Sequence, residues 1–576
     1  MKHERWLPFL WLALAFAVTA GTFKHTDYFA TSYDWRLFET WLEAGRRSVL
    51  WYHQFPLWNP WTCGGQVYLA NPQSLVATPT FPLILAFGTA LGAKLTLVAY
   101  YFCAFDGMYR LARSYEISVV SSVFAAILFG TGGWLALHFA EGHCTFFGAA
   151  LFPYAMYFYR RGRAELEWCI PLGFIAAWIV GDGGTSTPPM CMVILTTLAI
   201  VDCVQRRTLR PFLPLVLAAG VAFAVGALRV LPALEFAVDH PRHLFETDAN
   251  YPWMMVRNAY WWKGIEPVPG KRYWFHEYGW RLPYLTIPLW IWAIGVKKAR
   301  VVWIFVGVGA AIVAGSAWPY GPWWLLHHLP IFRDLRVPSR YQVMLAIGVP
   351  LLCAFALDDL RARTWWKRAL TIAVIVVCAL DGLAFDWVRY AKAFDGRWPL
   401  AAEGTPFYQV VGEWRSMMSN VFENHGAIGC DEEAPLQRAL ALDEGPKPQA
   451  RVEDAATGKI DAIRWTPNRV ELDVDLVAPA VVSVNENWNE HWRIASNAGG
   501  AKIDHGEMIR VGPKLGRDKD GGRLGARVPA GRYTLAFVYR PRSFTVGLLV
   551  SALAIPLAAA AWIFARRRRR RDAARQ

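Results

Sequence analysis

At 576 residues, with 55% hydrophobic and 15% aromatic side chains, the chain is too long for one small domain and too apolar for an ordinary soluble protein. Its formal net charge of +15 would suit a nucleic-acid binder if the basic residues formed one patch, but they recur as short clusters between apolar runs. A polytopic α-helical membrane protein is the class that remains. No Walker A sequence and no dinucleotide glycine fingerprint is present, which removes support for nucleotide-driven or redox chemistry.

In chain order, the apolar run from Trp6 to about Thr22 is long for a signal-peptide core and is followed by many others, so it reads as a retained first span. Further stretches lie near 93–112, 117–136, 145–159, 168–181, 190–204, 211–231, 281–296, 301–317, 341–357, 369–385 and 544–565, which predicts about 12 transmembrane helices. Alternate connections carry the Lys/Arg excess: Arg110 and Arg113, then Arg160 to Arg163, Arg206 to Arg210, Lys297 to Arg300, Arg361 to Arg368, and the run Arg566 to Arg571. By the positive-inside rule both termini are cytoplasmic, and the long connections 23–92, 232–280 and 386–543 face the other side.

Within the first of these connections, Trp35, Phe38, Trp41 and Leu42 follow helical spacing, predicting an amphipathic interfacial helix over 34–49 with its acids on the solvent face. The Pro-, Gly- and Asn-rich stretch 55–73 should fold as an ordered re-entrant loop. The last connection changes character. Residues 386–450 read as a mixed linker packed on the membrane part, and 451–543 as a β-sandwich-like domain. Alternation at Val470, Leu472 and Val474, and at Tyr533, Leu535, Phe537 and Tyr539, carries that reading. The turn signals Gly521-Gly522 and Pro529-Ala530-Gly531 predict hairpins, and 544–576 is a final span with a basic tail. Of nine cysteines, most sit in apolar runs as small buried hydrophobes, while Cys63 and Cys430 fall in connections where they could pair.

The string Phe55-Pro56-Leu57-Trp58-Asn59-Pro60-Trp61-Thr62-Cys63-Gly64-Gly65, continued by Leu69-Ala70-Asn71-Pro72-Gln73, resembles the signature of the YfhO-like bacterial membrane protein family of the GT-C glycosyltransferase superfamily. Glu141-Gly142-His143, Leu231 to Glu235, Glu277-Tyr278-Gly279, Phe332 to Arg340 and Asn424-His425-Gly426 resemble further family segments in order. The resemblance implies a GT-C-like transmembrane domain over 1–385, in a bacterial inner membrane, moving a sugar from a polyprenyl-phosphate donor to an envelope glycan, polymer or lipid. It also places an acid in the loop after the first span. Asp34 is the candidate base and Asp27 its understudy, although Tyr33-Asp34-Trp35-Arg36 lacks a second adjacent acid.

Arg336 and Arg340, whose planar forks suit phosphate oxygens, are candidates for the donor headgroup. His143, Glu141, Asn59, Trp58, Asn71, Glu235 and Glu277 complete the expected substrate-binding set. Arg229, which runs against the positive-inside trend, calls for a partner, for which Glu235 is near in sequence. No cofactor is expected, although His143 with Glu141 and His276 with Glu277 are residue types that hold a divalent metal. A lipid-linked glycan flippase and a non-catalytic envelope scaffold are the rival readings; paired intramembrane charges or two similar halves would favour the former, and neither is evident.

Overall fold

The computed structural model describes residues 2–240, 248–262, 266–360, 365–411, 417–429, 442–496, 506–512 and 522–575. Among them, seven helices are long and apolar enough to cross a membrane: Glu4–Lys24, Phe81–Ser114, Val119–Glu141, Thr187–Arg206, Pro338–Leu360, Arg368–Tyr390 and Arg542–Asp572. An eighth candidate is the pair Arg210–Val225 and Ala227–Val238, bent by 89° at Gly226. This is a multi-pass helical membrane fold.

The other predicted spans are helical but short, and proline and glycine account for it. The stretch 145–159 opens as a 3₁₀ segment, Cys144–Leu151, before the helix Phe152–Gly162, which has proline in its first turn. The helix Leu166–Gly181 ends at the Gly-rich turn that carries Asp182, which is buried and accepts from Tyr100. Pro283 precedes the helix Thr286–Trp292, and the helix Arg300–Val313 stops just before Gly315, whose φ is +59°.

The interfacial helix forms as Tyr33–Leu50, but two of its three acids, Glu39 and Glu43, do not face solvent. Glu39 is 1% exposed and accepts the Ala30 backbone N–H at 3.0 Å. Glu43 is 2% exposed and receives Arg47 at 2.9 Å and the Thr89 hydroxyl at 2.7 Å. Ala30 and Thr89 enclose these two acids, and the segment near Phe422 packs on the same helix. Arg47 reaches across to the Phe422 carbonyl at 2.8 Å, and the Trp61 indole donates to Asn424 at 3.0 Å.

The strand-rich domain spans 450–539 as two four-stranded antiparallel sheets. One runs Glu507–Val511, Arg523–Val528, Ala480–Asn487, Ala450–Val452; the other runs Gly458–Thr466, Arg469–Leu476, Gly531–Tyr539, Trp492–Ser496. The alternation at Val470, Leu472, Val474 and Leu476 buries one face of its strand against Val482, Val484, Leu524 and Phe537 of the same core. Pro529-Ala530 does not make a hairpin, since the strands on either side of it belong to different sheets. Proline cannot donate to a ladder, and here it carries the chain from one sheet to the other.

The domain is docked on the Trp58 loop. Asn487 donates to the carbonyls of Cys63 at 2.6 Å and Gly65 at 3.0 Å, Asn468 accepts from the Trp58 backbone N–H at 3.0 Å, and Gln54 donates to Thr466 at 2.8 Å. Cys63 is disulfide-bonded, and the other seven described cysteines are free. Cys430 lies outside the described residues.

Candidate functional site

Four segments far apart in sequence meet where the helix Gly133–Glu141 ends and the helix Val343–Leu360 begins, against the first turn of the interfacial helix. Gly142, with φ +99°, terminates the first of these in the left-handed conformation. A Cβ at this position would stand 2.2 Å from the Trp35 amide nitrogen, so the close approach itself requires glycine. Ser32 donates to the Glu141 carbonyl at 2.7 Å and the Trp35 indole to the Phe139 carbonyl at 2.7 Å, which fix the interfacial helix relative to the turn. Gly142→Ala is expected to lower stability by about 2–4 kcal/mol, combining backbone strain with overpacking, and to show as a fall in melting temperature in lipid nanodiscs.

This packing sets Asp34 beside His143. The Asp34 carboxylate and His143 Nε2 are 3.0 Å apart, with the aspartate side chain 30% exposed and the histidine 10%. On its other side His143 Nδ1 lies 2.8 Å from His138 Nδ1, and Phe146 stacks on the His138 ring at 4.9 Å. Burial by itself would lower the pKa of His143. The hydrogen bond to Asp34, the Asp34 charge and the nearby Glu277 outweigh burial and hold it above its ordinary value. His276, packed edge-on against His143 with ring centroids 4.9 Å apart, is instead pushed down to about 4 by burial and by His143.

Glu277 is 4% exposed and receives Arg340 in a two-pronged pair, Nε at 2.8 Å and Nη2 in a shorter contact. Burial would raise its pKa, but the Arg340 charge and hydrogen bonds keep it well below the usual carboxylate range. The Arg340 guanidinium also lies over Phe146, 4.9 Å from the ring centroid. Asp34, His143, Glu277 and Arg340 are thus brought into one cluster, and Glu141 adjoins it at the end of its helix. His138 and His276 belong to it as well. The sequence singled out His276 only as a metal-type pair with Glu277, and His138 carried no signal, being one more residue of an apolar helix.

The remaining sequence candidates lie elsewhere. Asp27 is largely exposed and faces Arg397 at 3.9 Å. Arg336 sits over the Tyr273 ring at 5.7 Å. Trp58 is fully buried and gives its indole N–H to Glu486 at 2.6 Å, leaving no open ring face. Asn59 accepts from the Trp61 amide at 3.1 Å and donates to Thr62 at 3.0 Å, closing its own turn. Asn71 accepts from the Gln73 amide at 2.9 Å, and its carbonyl receives Arg229 at 2.6 Å. Arg229 therefore does not pair with Glu235, which instead contacts Ser543 and stands 3.5 Å from His491 of the strand-rich domain. Both residues ride the helix Ala227–Asp239, and a separation of six residues leaves them about 120° apart around its axis.

No family model and no curated protein matches the chain. Among solved structures, the arabinofuranosyltransferase AftD from Mycobacteria is similar with a TM-score of 0.46 and 12% identity, over 71% of this chain and 29% of that one. ArnT from Cupriavidus metallidurans, bound to undecaprenyl phosphate, gives a TM-score of 0.45 and 12% identity, over 74% of this chain and 86% of that one. An oligosaccharyltransferase from Archaeoglobus fulgidus, tethered to an acceptor peptide, gives 0.44 and 10%, over 74% and 64%. The chain thus spans under a third of the length of the mycobacterial protein.

Proposed function

We propose that this protein is a GT-C type glycosyltransferase that moves a sugar from a polyprenyl-phosphate-linked donor to an envelope glycan, polymer or lipid on the extracytoplasmic face of a bacterial inner membrane. The observation that carries this reading is the Asp34 carboxylate. It is partly open to solvent and fixed at 3.0 Å by the buried His143, beside the Arg340–Glu277 pair. The resemblance of the first-loop segments to YfhO-like sequences points the same way. In this scheme the chain makes about twelve crossings, with both termini cytoplasmic and the strand-rich domain on the same face as the site.

Asp34 takes the proton of an acceptor hydroxyl as its oxygen attacks the anomeric carbon. The bond from that carbon to the donor phosphate breaks, and the electron pair leaves with the polyprenyl phosphate. One displacement with one base inverts the anomeric centre. His143 orients the carboxylate, and Arg340, whose contacts to Glu277 use Nε and Nη2, offers its remaining edge to the departing phosphate. Arg336 assists from the same connection. Asp27 is the reserve base, and Trp58, Asn59, Asn71 and Glu235 serve by holding the surrounding loops.

The test is release of polyprenyl phosphate from a panel of polyprenyl-phosphate sugars by the full-length protein in nanodiscs. Asp34→Asn, nearly isosteric, is expected to slow release by about a hundredfold or more while the melting temperature stays put. Equal activity in Asp34→Asn removes the base assignment. Consumption of no donor by the wild type removes the enzyme reading and moves transport or scaffolding ahead.

A further inference from the structure

We infer that His143, His276 and Glu277 form a binding site for a zinc-class divalent cation. One ligand atom from each lies within 4.8 Å of the other two, and all three residues are buried. The sequence gives no hint of the triad as a unit, because His143 follows one helix and His276-Glu277 precede another more than 130 residues later. What joins them is the packing of the Gly142 turn against the segment 275–279.

A second, independent observation points to a ligand here. His276 is 9% exposed, and its Nδ1 has no hydrogen-bond partner among the described residues. A buried ring nitrogen left unpaired costs free energy, and an ion bound there removes the cost. Behind His143, His138 holds one ring nitrogen at 2.8 Å, the supporting contact that fixes the tautomer and direction of a ligating imidazole. The other nitrogen of His143, Nε2, is the one left to ligate, and on binding it exchanges its 3.0 Å hydrogen bond to Asp34 for the ion.

The donor set decides the kind of ion. Two imidazoles with one carboxylate suit zinc and its neighbours among the transition metals, whereas magnesium and calcium take oxygen ligands. Glu277 can serve although Arg340 holds it, since a carboxylate has about four lone-pair directions and the two-pronged pair uses two. In a tetrahedral site ligand atoms stand about 3.3 Å apart, so small rotations of the three side chains close the present spread. Three protein ligands leave a fourth position for an oxygen from outside the protein, next to Asp34.

The site is tested without reference to sugar transfer, so its failure is separable from failure of the enzymatic reading. The full-length protein, purified in nanodiscs with a tag that contains no histidine, is stripped with chelator and titrated with cobalt(II) chloride. One equivalent per chain is expected, with visible ligand-field absorption that zinc displaces at stoichiometric concentration and millimolar magnesium does not. His276→Gln and His143→Gln are each expected to weaken cobalt binding by more than about 100-fold, beyond the 10–100-fold loss typical of groups that only support a ligand. Melting of the metal-free forms identifies which variant keeps its fold, and two variants are used so that loss of one leaves the other informative. Absence of stoichiometric absorption in the wild type overturns the site, as does cobalt binding that survives either substitution in folded protein.

Discussion

Arg340→Met is expected to destabilise the protein by about 3–5 kcal/mol, the largest loss from any single substitution proposed for it. Glu277 is 4% exposed, and its charge is answered by the two-pronged contact from Arg340. Taking the guanidinium away leaves a buried carboxylate among histidines and the acids Asp34 and Glu141, with no cation fixed on it. The carboxyl then escapes by binding a proton, which reverses the pH dependence of the site. In the wild type the depressed Glu277 pKa contributes stability that is present above about 4.5 and lost as pH falls through the lowered value. In Arg340→Met the folded pKa lies above the unfolded one, so the variant is least unstable in acid and loses stability as pH rises. Melting in nanodiscs from about pH 2 to 8 reads both slopes, the wild-type one in the acid part of the range. Adding Glu277→Gln to Arg340→Met should restore most of the loss, since the uncompensated charge is gone. Arg340→Lys should fall between, because an ammonium supplies charge without the planar fork. A single variant as stable as wild type at pH 8 would mean that solvent reaches Glu277 after all.

The membrane class and the strand-rich domain were legible in the sequence because both depend on local periodicity. Long apolar runs marked the seven long helices, and period-2 alternation at Val470, Leu472 and Val474 marked a strand whose apolar side is buried. Spacing also found the helix Tyr33–Leu50, but it could not say what lies over its polar face. Glu39 and Glu43 look like solvent-facing acids until Ala30, Thr89 and the segment near Phe422 close over them. Spacing likewise misplaced Arg229. Nearness in sequence suggested Glu235, while the partners it has are carbonyls about 155 residues upstream.

The candidate site divides in the same way. Asp34 stood out as an acid in the connection after the first span, and His143 and Glu277 as polar residues at span ends. Their meeting was not legible, because tertiary packing brings the 34, 143, 277 and 340 positions together and no fixed spacing links them. Trp58, Asn59 and Asn71 show the converse. Their loop is rich in the residues that make tight turns and large contacts, and those side chains are used to build and dock the loop itself.

The docked loop supplies the second large effect, a pH-dependent grip on the strand-rich domain. Glu486 is 1% exposed in the sheet that faces the first loop, and its two oxygens accept the indole N–H groups of Trp58 at 2.6 Å and Trp465 at 2.7 Å. Burial pushes its carboxyl from 4.5 up to about 8, even though both indoles favour the charged form. A group whose folded pKa is raised adds stability that is complete below its unfolded value and is lost as pH rises through the folded one. The interface is therefore expected to be tightest in mild acid and to weaken by a few kcal/mol between about pH 5 and 8. Hydrogen exchange followed at residues 55–67 and 480–487 from pH 5 to 9, corrected for the intrinsic rate, should show protection falling across that window. Glu486→Gln stays neutral at every pH and should hold protection level, matching or exceeding the wild type at pH 8. Trp58→Phe removes one of the two donors to the ionised form and should steepen the fall. If wild type and Glu486→Gln lose protection in parallel, the carboxyl does not govern docking, and the hydrogen bonds of Asn468 and Asn487 to the loop carry it alone.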